Sequence, residues 1–324
     1  MDETHAPGDS SVSVDLSVII VNWNVLDLLR RCLLSLNPSE EGLAIEAIVV
    51  DSASYDGSVE MVRREFPWVR LIASDKNLGY ARGNNVGMAE ASGRYLLVLN
   101  PDTELVGGAL EGMAQYLDEH PRVGALGPAL RYLDGSLQSS RRRFPTLATA
   151  FCESTLLHQW FPNNRVARRY HLDDRPADVP QPVDWVVGAA LMIRREAWQQ
   201  VGPLDEGFFM YFEELDWCHR CRAAGWEIHF LPTAEIIHHE GKSSEQVATA
   251  RTIRFQRSKI SYYRKYFGVG WSWVIRLFLL GTFAVQLGEE SLKWLMGHKR
   301  TLRRERMSSY WRVLKSGLAA DGSG

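Results

Sequence analysis

A chain of 324 residues with 45% hydrophobic content, 23% charged content and a net charge of -2 can bury a full core, which excludes a disordered or fibrous protein and fits one large domain with an appendage. Four scattered cysteines, Cys32, Cys152, Cys218 and Cys221, exclude a disulfide scaffold and favour a reducing compartment. The charge is uneven: residues 251–315 hold 15 Lys and Arg against 3 Asp and Glu, the remainder 22 against 36, so the tail calls for an acidic partner, either nucleic acid or an anionic membrane.

Residues 1–15, MDETHAPGDSSVSVD, are polar and lack an apolar h-region, which reads as a disordered lead-in rather than a signal peptide or anchor. Residues 17–21, SVIIV, form a first strand closed by Asn22-Trp23-Asn24. Leu26, Leu29, Leu33 and Leu36 then recur at helical spacing. A second strand, 47–50, runs into Asp51, followed by Asp56 and Ser58, either of which can cap the next helix. Asp51 lies at the strand end, several residues too early for a cap. A third strand is predicted over 69–72.

The stretch 77–87, NLGYARGNNVG, has three glycines that permit close backbone approach, but they fall within a predicted helix and lack dinucleotide-fingerprint spacing. Arg82 there is either a phosphate partner or a surface residue. In 95–105, YLLVLNPDTEL, a buried parallel strand ends abruptly at Asn100-Pro101-Asp102. Ligands of open α/β sheets bind beyond the carboxyl ends of strands. Asp102 and its neighbours supply the oxygens that a hard divalent cation shares with phosphates. The alternative role for Asp102 is to cap a helix over about 106–117. This alternation of strand and helix predicts a doubly wound, nucleotide-binding half.

A strand over 123–130 and a hairpin at Asp134-Gly135 follow. The pattern then dissolves over 139–182, from Arg141-Arg142-Arg143 to Pro176, Pro180 and Pro182, which predicts a variable cover over the site that guides the acceptor. Its arginines face either a diphosphate or solvent. Residues 184–193, DWVVGAALMI, read as a buried strand carrying Gly188. A helix runs from about Phe212 to the stop at Gly225, with Glu213, Glu214 and Asp216 in its first turn. There the helix dipole favours their ionised form, which suits a base; plain dipole complementarity and an Asp216–Arg220 ion pair are the alternative. Cys218 and Cys221 lack partners at metal spacing and read as core thiols. Short strands at 226–231 and 234–237 end at His238-His239.

The order of these blocks carries a resemblance. SVIIVNWN, VVDSASYDGS, NLGYARGNNVG and LVLNPDTEL resemble the four amino-terminal blocks of inverting family 2 glycosyltransferases, and most of all bacterial rhamnosyltransferase-like members. The resemblance implies an α/β GT-A fold, a Rossmann-like nucleotide-diphospho-sugar transferase domain over 16–245, with a helical tail over 246–324. It implies Asp51 on the nucleotide base, with Asn22, Arg82, Asn100 and Gly188 around the donor. Asp102 stands in the Asp-X-Asp position, whose first carboxylate is here Asn100. FFMYFEELDWCHR resembles the catalytic block and puts Glu214 at the general base, with Glu213 as the alternative and Asp216 beside them. The block HHEGKSS implies that His238, or else His239, completes the site of a divalent metal, Mg or Mn. The implied reaction moves a sugar, best guessed as L-rhamnose from dTDP-rhamnose, to a lipid-linked saccharide in envelope polysaccharide synthesis. A polyprenyl-phosphate sugar synthase and a catalytically silent nucleotide-sugar-binding scaffold are the alternatives.

From Arg251 basic and aromatic residues interleave, followed by GWSWVIRLFLLGTFAVQLG. That run approaches the length of a membrane span, yet it contains Arg276. A charge there favours a helix lying in the interface, and Lys299, Arg300, Arg303, Arg304 and Arg306 would meet anionic headgroups. The tail over 251–316 is therefore expected on the cytoplasmic face of the cell membrane. Nucleic acid would have no use for the apolar helix, and a helical pair packed on the catalytic domain is the alternative.

Overall fold

The computed structural model describes residues 14–36, 42–239 and 248–319. The lead-in lies outside them apart from its last two residues, as do residues 240–244 of the HHEGKSS block. Strands β1 (Leu16–Asn22), β2 (Ile45–Ser52) and β3 (Arg70–Ser74) alternate with helices α1 (Leu26–Ser35), α2 (Ser58–Glu65) and α3 (Gly79–Ala89), and β4 (Tyr95–Leu99) follows. The four strands run parallel in the order β3-β2-β1-β4. Every residue of β1 and β4 is buried, as expected of strands with both faces covered. A Cβ on Gly83 or Gly87 would lie 2.8 Å from Val21 or 2.5 Å from Ile19. Those glycines therefore seat α3 on β1 rather than a ligand on the loop.

The second half is mixed in direction. After β5 (Thr103–Leu105), α4 (Ala109–Glu119) and β6 (Val123–Arg131) come the predicted hairpin, with Gly135 at φ +82, and a segment that is more regular than its sequence suggests. It contains β7 (Arg141–Arg142), α5 (Leu147–Cys152), α6 (Leu156–Trp160), α7 (Arg165–Tyr170) and β8 (Gln181–Val183). Helices of five or six residues are too short to display a 3.6-residue period; side-chain caps from Thr146 and Asn164 start two of them. The three arginines are internal braces here. Arg141 donates to the carbonyls of Pro176 and Arg175, Arg142 lies over the Tyr170 ring, and Arg143 pairs with Asp174.

The strand predicted over 184–193 is two pieces, β9 (Trp185–Val186), which pairs with β7, and β10 (Ala190–Arg194), which inserts antiparallel between β4 and β6. Helices α8 (Arg195–Val201) and α9 (Glu213–Ala223) follow. The two strands predicted over 226–237 are one, β11 (Glu227–His238), bent by a register shift between Leu231 and Glu235 and parallel to β6, with β5 on its other edge.

The tail forms α10 (Ala248–Phe267), α11 (Val269–Leu295) and α12 (Arg300–Ser316). It packs on the sheet domain: one apolar core runs from Ile193 through Trp217 to Tyr262, Ile275 and Val313. Lys259 Nζ, Ser258 Oγ and the Tyr263 hydroxyl donate to the carbonyls of Glu153, Met210 and Thr146. Helix α11 buries Ser272, Ile275, Leu279, Phe283 and Glu290 on one stripe and exposes Trp273, Val274, Leu277, Val285, Leu292 and Leu295 on the other. It is the one described helix long and apolar enough to cross a membrane. Arg276, the charge within its apolar run, lies over Trp273 and donates to the Gly317 carbonyl at 2.6 Å.

Candidate active site

The parallel strands deliver their polar ends to one crevice, as the doubly wound arrangement requires. Asn22 and Asp51 are register partners on β1 and β2. Asn22 Nδ2 donates to Asp51 Oδ2 at 2.8 Å, and Ser54 N donates to Oδ1 at 2.9 Å. Each carboxylate oxygen accepts one bond and keeps capacity for another. The loops after the two strands interlock further through Asn24, whose Oδ1 accepts from Tyr55 N at 2.8 Å. Asp56 accepts from the first amides of both α1 and α2, so its capping role extends to two helices. The adjoining cleft, about 550 Å³, is lined by Trp23, Ser52, Tyr80, Asn100, Met210 and Arg254 among others.

Asp102 does not cap α4, whose N-cap is Gly108. It is buried, and its Oδ1 lies 3.5 Å from His238 Nε2. The antiparallel pairing of β11 with β5 sets this approach, by placing His238 opposite Thr103. His238 Nδ1 lies 2.9 Å from Gln138 Oε1, and Gln138 Nε2 donates to the His238 carbonyl at 2.6 Å. A proton on Nδ1 therefore leaves the Nε2 lone pair facing Asp102. His239 turns away, with Nε2 2.7 Å from Glu104 Oε1. Among the described residues, no three His, Cys, Asp or Glu side chains gather.

Helix α9 brings the acidic pair to the same crevice. Two consecutive aromatic residues before it, Tyr211 and Phe212, adopt left-handed φ of 70 and 71, a strain of roughly 1–3 kcal/mol each. Packing against Phe255 and Tyr262 of α10 holds them there. Glu214 lies against the break between β9 and β10. Gly188 N donates to its Oε1 at 3.3 Å, and a Cβ on Gly188 would stand 3.3–3.4 Å from the Glu214 side chain. The Gly188 carbonyl accepts from the Tyr80 hydroxyl at 2.6 Å, and the adjacent Ala189 carbonyl from Asn100 N at 2.9 Å. Glu214 is thus joined through two residues to the strand end that precedes Asp102.

Burial pushes the Glu213 carboxyl well above its ordinary range, with the Glu214 charge adding to it. Burial also raises Glu214, while backbone amides, among them Gly188 N–H, pull it back down. Burial therefore outweighs the dipole effect expected from sequence at both carboxyls. Oε2 of each glutamate is buried without a hydrogen-bond partner. Tyr80 is likewise raised by burial, then by Glu213, Glu214 and Asp102.

Two expected members lie elsewhere. Arg82 is largely exposed on α3, 3.9 Å from Glu206, and does not line the cleft. Asp216, fully buried, points at α10: Lys265 Nζ and the Tyr266 hydroxyl meet Oδ1 at 2.6 and 2.7 Å, and Arg220 Nε meets Oδ2 at 2.9 Å. Helical rotation separates it from Glu214, two residues away. Conversely, Tyr80, Gln138 and Arg254 were not singled out from sequence. Tyr80 and Arg254 sat in stretches assigned to other purposes, and Gln138 carried no signal, since a lone glutamine after a hairpin has none.

Residues 17–198 match the family described as glycosyl transferase family 2. An N-acetylglucosaminyl-diphospho-decaprenol L-rhamnosyltransferase of Mycobacterium tuberculosis is 30% identical over 282 residues, 84% of this chain and 91% of that protein. The rhamnosyltransferase WbbL of Escherichia coli is 26% identical over 230 residues, 68% and 82% of the two chains. Among solved structures, a mannosyltransferase of Pyrobaculum calidifontis in complex with GDP-mannose and Mn2+ superposes with a TM-score of 0.57 at 16% identity, covering 97% of this chain and 90% of that one.

Proposed function

Because the chain belongs to glycosyl transferase family 2, resembles its rhamnosyltransferases and has a GT-A fold, we propose that it transfers L-rhamnose from dTDP-rhamnose, with inversion, to a lipid-diphosphate-linked saccharide in polysaccharide assembly. The observation that carries the reading is the position of Glu214, with one oxygen held by Gly188 N and the other buried and unpartnered, beside the cleft end at Asn100. The acceptor hydroxyl would attack the anomeric carbon from the face opposite the diphosphate. As the new C–O bond forms and the bond to the diphosphate oxygen breaks, the hydroxyl proton passes to Glu214. Burial raises both carboxyls, and the Gly188 N–H that offsets this at Glu214 favours Glu214 over Glu213 as the proton acceptor. Asp51, oriented by Asn22, has the spare lone pairs to accept from the nucleotide base.

Asp102 and His238 fit a hard divalent cation, Mg2+ or Mn2+. Such ions take one or two protein ligands when substrate phosphates complete their shell, and Gln138 orients the imidazole as outer partners of metal ligands do. Bound there, the ion would offset charge on the departing diphosphate. A lipid-linked acceptor suits the outer face of α11, which is apolar along about 40 Å. On α12 Arg300 and Arg304 are exposed, whereas Arg303 and Arg306, expected at headgroups, pair with Glu290 of the buried stripe. The tail would lie on the cytoplasmic face of the membrane with that stripe among the acyl chains.

The test is transfer of labelled rhamnose to polyprenyl-diphosphate-N-acetylglucosamine, with divalent cation chelated and then restored. Glu214→Gln is expected to lower turnover about a hundred- to ten-thousandfold and leave dTDP-rhamnose affinity within about twofold. Retained turnover in that variant would remove Glu214 from the reaction, and full activity under chelation would remove the metal.

A further inference from the structure

We infer that Arg254, brought into the cleft by α10 of the tail, binds the diphosphate of the donor. The inference rests on the nucleotide-sugar reading above and adds to it a residue outside the stretch that matches the family.

Charge makes the case first. The proposed donor carries a diphosphate into a crevice already holding the acidic side chains of Asp51, Asp102 and Glu214. Of the eleven residues lining the cleft, Arg254 alone has a formal charge, and it is positive. The cations expected from sequence are committed elsewhere: Arg82 faces Glu206 on the outside, and Arg141 is spent on two carbonyls. Beside a cation at Asp102 and His238, Arg254 is the one positive charge that the lining offers a dianion.

Geometry agrees. The Arg254 guanidinium carbon lies over the Phe209 ring, 4.5 Å from its centroid, and among the described residues the group forms no ion pair. A cation held over a ring face by its central carbon still has N–H groups to offer in the bidentate contact that phosphate oxygens accept. Phe209 is itself fixed. Its carbonyl accepts from Tyr80 N at 2.8 Å, and its carbonyl and ring cover Gly79 so closely that any Cβ there would come within 2.6–2.9 Å. Arg254 is therefore held against a fixed ring in the cleft that Asn100 also lines, on the helix that also braces Tyr211 and Phe212. The tail then does more than seat the enzyme on a membrane: it completes the donor site.

Calorimetric titration of dTDP, dTMP and thymidine into the full chain, Arg254→Met and Arg254→Lys tests this. Loss of one charge-assisted bidentate contact predicts that Arg254→Met weakens dTDP about ten- to a hundredfold, dTMP less, and thymidine not at all. Arg254→Lys should recover part of the dTDP affinity. Equal dTDP affinity in Arg254→Met and wild type overturns the inference and leaves the transferase reading intact. Equal loss for dTDP and thymidine makes Arg254 structural and overturns it too. A wild-type chain that binds none of the three overturns the donor reading beneath it.

Discussion

Asp216→Asn separates a catalytic from a bracing role for the third acid of the FEELD block. Asp216 is wholly buried and receives three donors, Lys265 and Tyr266 on Oδ1 and Arg220 on Oδ2, at 2.6–2.9 Å. Each charge-assisted bond is worth about 1.5–3 kcal/mol, and removing one partner of a buried ion pair costs about 3–5 kcal/mol. Both cations keep other partners, however. Lys265 retains Asp205 at 2.6 Å, and Arg220 retains the carbonyls of Val201 and Pro203 at 2.9 and 2.8 Å. Their side chains are also 36% and 27% exposed, so solvent screens part of the attraction. Asparagine keeps an acceptor for Tyr266 but turns an amide donor toward Arg220 if it does so. The net expectation is a loss of about 2–3 kcal/mol, a fall in melting temperature of about 4–8 °C. Melting followed by circular dichroism and turnover at 25 °C are the two readouts, with turnover within about threefold of wild type. An unchanged melting curve with turnover down a hundredfold would refute this reasoning and return Asp216 to the reaction.

Glu213→Gln tests the protonation state of the pair. A carboxyl whose folded pKa is raised holds a proton that the unfolded chain releases above about 4.5, so wild-type stability falls as pH rises from that range through the raised value. The variant, neutral throughout, should melt with wild type near pH 5 and above it at pH 8; a gap that narrows with pH would mean Glu213 is ionised in the fold. For the tail, Trp273→Asp with Leu277→Asp places two charges on the exposed stripe of α11 and should abolish flotation with vesicles of about one-third anionic lipid while leaving the melting temperature unchanged. Flotation equal to wild type would exclude that face as the membrane contact.

The sequence alone located the ends of the parallel strands to within about two residues, because an apolar run must end where burial ends: SVIIV beside Asn22, the second strand beside Asp51 and YLLVL beside Asn100. It thereby determined which acids stand at the crevice, and the helix that carries the glutamate pair. It could not determine direction. A one-residue change in strand register exchanges faces, so the choice of His238 over His239 beside Asp102 depended on β11 pairing with β5, more than a hundred residues away. One hundred degrees of helical rotation per residue sends Asp216 to α10 and Glu214 to Gly188, and only the packing of α9 sets that angle. Arg82 lies exposed near Glu206 and Arg254 lines the cleft for the same reason. A charged side chain is read locally as surface, and whether it meets solvent or a cleft is decided by the partner element that arrives there. Local pattern is written in nearest-neighbour chemistry; convergence depends on contacts between distant segments, which no short stretch of the chain encodes.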